Sequence, residues 1–154
     1  MSTISGLPAH PLLVHFLVVL APLTAILAIL CALWPAARRR FVWLVAALAG
    51  ITAVLTPFTA NAGEWLEHNV GETAAVEVHE HLGKTMIYFA AALLAAAIAL
   101  VVTHRRAERS KPLSKAVSAV IAVFVVVASV ATTVQVFRIG HSGAVATWGG
   151  VTAD

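Results

Sequence analysis

The sequence predicts an all-α protein, a four-helix transmembrane bundle, and three observations carry that prediction. Hydrophobic residues make up 60% of the 154 and charged residues only 11%. A soluble domain of this size cannot hide so much apolar surface, because its surface stays large relative to its volume. Four apolar runs, at about 11–34, 41–59, 85–103 and 116–137, each approach the ~20 residues needed to cross a ~30 Å hydrocarbon core. The charges between them alternate in sign. Arg38, Arg39 and Arg40 fill the first connection; Glu64, Glu67, Glu72, Glu77 and Glu80 dominate the second; Arg105, Arg106, Arg109 and Lys111 fill the third.

Helices are expected for all four runs, since a spanning segment must satisfy its own backbone groups and the period-2 alternation of a barrel is absent. The first run follows a start without a basic region, is too long for a signal-peptide core and ends at Pro35, so it is expected to remain as a span. Ala46, Gly50 and Ala53 offer the second helix a small-residue packing face, and the alanines between 92 and 99 do so for the third. The acidic connection is too long for a turn. Its stretch 59–69 is helix-compatible, with Trp65 and Leu66 as apolar anchors, Gly71 as a break, and Thr73 placed to cap an extension of the third helix. In the fourth run, Thr132 and Thr133 are expected to bond to their own helix or a neighbour.

Residues 1–154 thus read as one integral membrane domain. The positive-inside rule puts both basic connections in the cytoplasm, with both termini and the partly helical acidic connection outside. The basic balance then reflects topology and lipid headgroups, and the expected partner is the bilayer, with no nucleic acid.

Function has to be sought in the polar residues. Six of the seven histidines, His10, His15, His68, His79, His81 and His141, fall on the outer side. With Pro11 as first helical residue, His15 lies one turn in, ~6 Å below the helix start. An ionisable group there normally faces the bundle interior with a partner, either as a ligand or simply hydrogen-bonded to a carbonyl. Glu77, His81 and Lys84 share a helical face, and His79 points roughly opposite, so His79 and His81 compete as donors. Glu64 and His68 form a similar i, i+4 pair in the acidic connection. Arg138 suits either a loop glutamate or a haem propionate, and His141 lies near the end of the fourth helix. His104, flanked by arginines, reads as a headgroup-facing residue. The lone Cys31 reads as a small core residue. No G-x-S-x-G, HExxH, phosphate-binding glycine loop or CxxC occurs, so a self-contained enzyme is unsupported.

The opening from Gly6 to Phe16 (GLPAHPLLVHF) resembles the HPxxVHF start of a bacterial membrane-protein family, domain of unknown function 2231. The stretches TPFTANAGEWLEHNV and RIGHSGAVATWGG look like its actinobacterial members, so the resemblance covers nearly the whole chain. It implies a four-helix domain in the bacterial cell (inner) membrane and no established activity. It also implies that His10 and His15 are the motif histidines and that His79, in VHEHLGK, is the family's histidine before helix three. Relatives more often carry acidic residues at the place of His141 and near His81 and Lys84, which leaves His10, His15 and His79 as the stronger candidates.

Three readings follow. The first is a haem b or metal site on the outer face, with electron transfer to a redox partner as the function. In the haem form His15 and His79 are the ligands, His81 competes, and Arg138 or Lys84 neutralises propionates. In the Zn or Cu form the donors are His10, His15 and His79 with Glu77 and His141. The second reading is a cofactor-free accessory or scaffold subunit of a larger membrane complex. The third is a pH sensor built on the histidines and glutamates.

Overall fold

Four long helices form the chain in this computed structural model: α1 Ala9–Leu33, α2 Pro35–Val70, α3 Ala74–Glu108 and α4 Lys115–Trp148. A two-residue antiparallel pair, β1 Thr3–Ile4 with β2 Leu7–Pro8, precedes them. The structure describes residues 3–4, 7–70 and 73–149, with side chains over 9–67 and 73–149. Gly71, Glu72 and the side chain of His68 lie outside the described residues. All four helices are long and apolar enough to cross a membrane. They stand in a ring, each packed on its sequence neighbours and α1 closing on α4, so that α1 and α3 face each other across a diagonal.

The junctions follow from local chemistry. Only Trp34 separates α1 from α2, and Pro35 opens α2 at the position where a missing N–H costs nothing. Arg38, Arg39 and Arg40, expected in a connection, therefore lie in the first turns of α2. At this arginine end the Arg105 guanidinium sits over the Trp43 ring, 4.9 Å from its centroid. Ser110 takes a left-handed φ of 55° between α3 and α4, and the Ser114 hydroxyl caps α4 by accepting from the Val117 N–H. At the opposite end, the helix-compatible acidic stretch is a continuation of α2, and Thr73 caps α3 by accepting from the Val76 N–H.

With 36 residues at a rise of ~1.5 Å each, α2 is ~54 Å long, well beyond a ~30 Å hydrocarbon core. The arginines pin one end, so the surplus of α2, α3 and α4 projects at the histidine end.

Burial runs in a 3-4 spacing along every helix: 10-14-17-21-24-28-31 in α1, 42-45-49-52-56-59 in α2, 79-83-86-90-93-97-100-104 in α3 and 125-128-132-135-139-142 in α4. This is the seam of a left-handed bundle. Lipid tails are as apolar as leucine, so the inward face is marked by small and hydroxyl-bearing residues instead of by hydrophobicity. The face Ala46–Gly50–Ala53 expected to pack in α2 is only half-buried, beside the true seam; a Cβ on Gly50 would meet nothing within 4 Å. The seam instead turns Thr52, Thr56 and Thr59 inward, away from lipid.

The two ends of the seam differ. Towards the arginine end it is apolar, with Ala28, Cys31, Val42, Val45, Leu100 and Val125 in one cluster. Beyond that cluster His104 is buried, its Nε2 3.4 Å from Glu108 Oε1, because it occupies the last inward position of α3 and does not face headgroups. Towards the histidine end a second apolar cluster, Ala21, Met86 and Val136, is interleaved with buried hydroxyls and Gln135. Thr132 bonds to its own helix at the Ala128 carbonyl and to the neighbouring Phe89 carbonyl, as its sequence position suggested. Gln135 Nε2 donates to the Leu82 carbonyl (3.0 Å) and to Thr85 Oγ1 (2.9 Å), tying α4 to α3. Gln135→Leu is expected to cost ~1 kcal/mol, the scale of interhelical hydrogen bonds in membranes. The check is the midpoint of an SDS unfolding titration, and an unchanged midpoint would mean that this bridge contributes nothing.

Candidate cofactor site

His10, in the first turn of α1, and His79, in the second turn of α3, meet across the diagonal of the bundle. Their rings stand edge to face, with centroids 6.1 Å apart and planes at 80°. His10 Nδ1 lies 2.9 Å from the Thr59 carbonyl oxygen, and His79 Nδ1 lies 3.1 Å from that of Ile139. A carbonyl only accepts, so Nδ1 carries the proton in both rings. Ser142 Oγ donates to the same Ile139 oxygen at 2.9 Å and stands 3.1 Å from His79 Nδ1, so its lone pairs share that proton. In a neutral imidazole with its proton on Nδ1, Nε2 is a free lone pair. Neither Nε2 has a hydrogen-bond partner among the described residues.

Each ring also rests on a glycine. A Cβ at Gly63 would come within 2.9 Å of His10 Cε1, and one at Gly143 within 3.0 Å of His79 Cε1. Gly63 follows Thr59 by four residues, as Gly143 follows Ile139, so the carbonyl and the glycine lie one turn apart on one helical face. The α1–α2 and α3–α4 hairpins thus repeat one device. The first helix opens with a histidine, and the second supplies a carbonyl to orient the ring and a glycine to let it lie flat.

The pair looks onto a cavity of about 690 Å³ at the histidine end. Small residues form much of its wall, among them Ala60, Gly63, Gly83, Gly140, Gly143 and Ala144. A second space of about 60 Å³ continues beneath the rings towards Thr56, Met86 and Val136. Glu64, Glu67, Glu80 and Lys84 line the wider cavity, three carboxylates against one ammonium. Lys84 Nζ bridges α3 to α2, 2.6 Å from Glu80 Oε1 and 3.4 Å from Glu64 Oε1.

The structure brings together only part of the set expected from sequence. His10, His79 and Lys84 line the wider cavity, as does His15, but His15 is exposed and its Nδ1 bonds back to the Pro11 carbonyl of its own helix. Glu77, His81, Arg138 and His141 are exposed and do not line either cavity. The His141 ring instead stacks on Phe137, with centroids 6.3 Å apart. Among the described residues no three His, Cys, Asp or Glu side chains converge as a metal-ligating group. Thr59, Gly63, Ile139, Ser142 and Gly143 were not anticipated. The signal for their neighbours was available: His10 and His79 head the 3-4 stripes, whereas His15 and His81 lie off them.

Fold and site together define a four-helix integral membrane protein with two neighbouring imidazoles, edge to face, at one end. The chain belongs to the family described as predicted membrane protein (DUF2231), whose model matches residues 6–153. No curated protein and no solved structure matches it.

Proposed function

We propose that the cavity holds a b-type haem between His10 and His79 and that the protein transfers electrons. The observation that carries this reading is the pair of free Nε2 lone pairs, each ring fixed through Nδ1 to a backbone carbonyl. That is the usual second-shell arrangement of ligating histidines. With metal–nitrogen bonds of ~2.0 Å, two imidazoles opposed on one metal have centroids ~6 Å apart, and the observed separation is 6.1 Å. A tetrapyrrole brings four nitrogens of its own and needs only two from the protein, which is the number offered. The cavity volume of about 690 Å³ falls within the ~300–1,000 Å³ of cofactor sites. Bound haem supplies one-electron chemistry. Lys84 is the cation available to a propionate, in exchange for Glu64 or Glu80. The arginine end faces the cytoplasm and the cavity faces outward from a bacterial cell membrane.

A bare Cu or Zn ion is the second reading, favoured by the carboxylates of Glu64, Glu67 and Glu80 in the same cavity wall as the two imidazoles.

The test is the absorption spectrum of detergent-purified protein, oxidised and dithionite-reduced, with metal analysis of the same sample. The expected result is a Soret band with sharp reduced α and β bands, lost in Gly83→Leu. Gly83 borders both spaces, and a Cβ there meets nothing within 4 Å, so a leucine side chain starts in open space and takes up room between the two. Stoichiometric Cu or Zn without haem bands would favour the bare ion. Neither signal from a haem- and metal-replete host would sink both and leave a cofactor-free accessory subunit.

A further inference from the structure

The two ends of the bundle treat their cations differently. At the histidine end Lys84 is paired within the chain, with Glu64 and Glu80. At the arginine end stand all of the chain's ten lysines and arginines except Lys84 and Arg138. The carboxylate there among the described residues is Glu108, which faces the buried His104. None of these cations makes an ion pair among the described residues. An anion that neutralises them is supplied by the surroundings.

One of them is fixed in place. The Arg105 guanidinium lies over the Trp43 ring, 4.9 Å from its centroid, and so ties α3 to α2 at the exposed surface. A guanidinium resting on an aromatic face keeps its edge N–H donors free, and that planar fork matches two oxygens of a phosphate. Arg39 lies one turn before Trp43 and Arg109 one turn beyond Arg105, both exposed, so they flank the pair on its outer side.

Towards the middle of the bilayer the same two faces become apolar. Ala46, Ala47 and Gly50 continue the Trp43 face, and the exposed Ile98 and Val102 continue that of Arg105. Ala46 and Gly50 are half-buried, and a Cβ on Gly50 would meet nothing within 4 Å. Low side chains on α2 beside tall ones on α3 leave a shallow groove that leads from the guanidinium into the hydrocarbon. Basic sites between helices at the headgroup level suit anionic lipids, and a groove of this polarity fits a lipid better than a soluble anion.

We infer that the α2–α3 groove at the arginine end binds one anionic phospholipid. Its phosphate sits on Arg105 with Arg39 and Arg109 beside it, and an acyl chain lies over Ala46 and Gly50. The site is at the opposite end of the bundle from the cavity, so it stands or falls separately from haem binding.

The test is native mass spectrometry of the full chain in a neutral detergent, titrated with phosphatidylglycerol and separately with phosphatidylcholine. The expected result is a single phosphatidylglycerol adduct, about tenfold tighter than that of phosphatidylcholine. Arg105→Gln and Trp43→Leu are each expected to weaken it about tenfold, through loss of the charge-assisted fork or of its support. Arg106→Gln removes the same charge from an exposed position ~100° around α3, and should change binding by no more than a factor of about two. Equal binding of the two lipids, or equal weakening by Arg105→Gln and Arg106→Gln, would overturn the proposal in favour of net charge alone. Displacement of the lipid by glycerol phosphate at equal concentration would overturn it in favour of a soluble phosphate. Arg105 is exposed, so Arg105→Gln keeps the outcome decisive if Trp43→Leu does not fold.

Discussion

If the proposed haem is bound, replacing His79 with leucine is expected to lower haem affinity by at least about 100-fold, since loss of outer-shell partners alone costs ~10–100-fold and here one of the two proposed ligands is removed. His10→Leu should do the same. His15→Leu, His81→Leu and His141→Leu should leave the spectrum within a factor of about three, because these rings either bond to their own helix or lie outside the cavity. The prediction separates geometry from sequence motif, since the HPxxVHF pattern treats His10 and His15 alike. The measurement is titration of apo-protein with hemin followed at the Soret band. A loss of binding in His15→Leu with retention in His79→Leu would reverse the assignment of ligands. Folding should survive either loss, because the Thr59 and Ile139 carbonyls lie within helices and have backbone partners of their own.

The second large effect concerns residues that touch no cofactor. Gly143→Val places carbon 3.0 Å from His79 Cε1, and Gly63→Val places it 2.9 Å from His10 Cε1. Neither ring can retreat while its Nδ1 stays on the carbonyl one turn away. The ring must swing or the helices must part. Overpacking of this kind costs ~1–3 kcal/mol, and disturbing a ligand's orientation costs ~10–100-fold in affinity. The two substitutions should have similar effects, since the hairpins repeat the same contact. Gly50→Val is the control, because a Cβ there meets nothing within 4 Å. SDS unfolding midpoints and hemin titration of the three variants check this. Equal stability across the set would show that the rings do not rest on the glycines.

The fold was legible because a bilayer leaves so few solutions. Length, apolarity and the alternation of arginine-rich and glutamate-rich connections suffice for four helices. The placement of Arg38 to Arg40 was not, because Pro35 lets a helix begin where a loop was expected. The site was half legible. Depth argued for His15, but depth says nothing about facing, and five residues on from His10 is ~140° around the helix. His79 and His81 differ by ~160° in the same way, and only the 3-4 stripe of small and hydroxyl residues tells which one turns inward. The orienting carbonyls lie 49 and 60 residues from their histidines. Such partners are set by the packing of whole helices, and no local pattern announces them.

The repeated device has a further consequence. Each hairpin owns one imidazole complete with its carbonyl and its glycine, so neither hairpin holds a ligand pair alone. What sets the separation of the two Nε2 atoms is the seating of one hairpin against the other. A slip of a single residue along that contact would carry one nitrogen ~1.5 Å past its opposite number, comparable to a large fraction of a metal–ligand bond. Because both hairpins belong to one chain, the two half-sites are held at high effective concentration. A group bound between the two imidazoles, as proposed, would in turn clamp the two halves of the bundle in register.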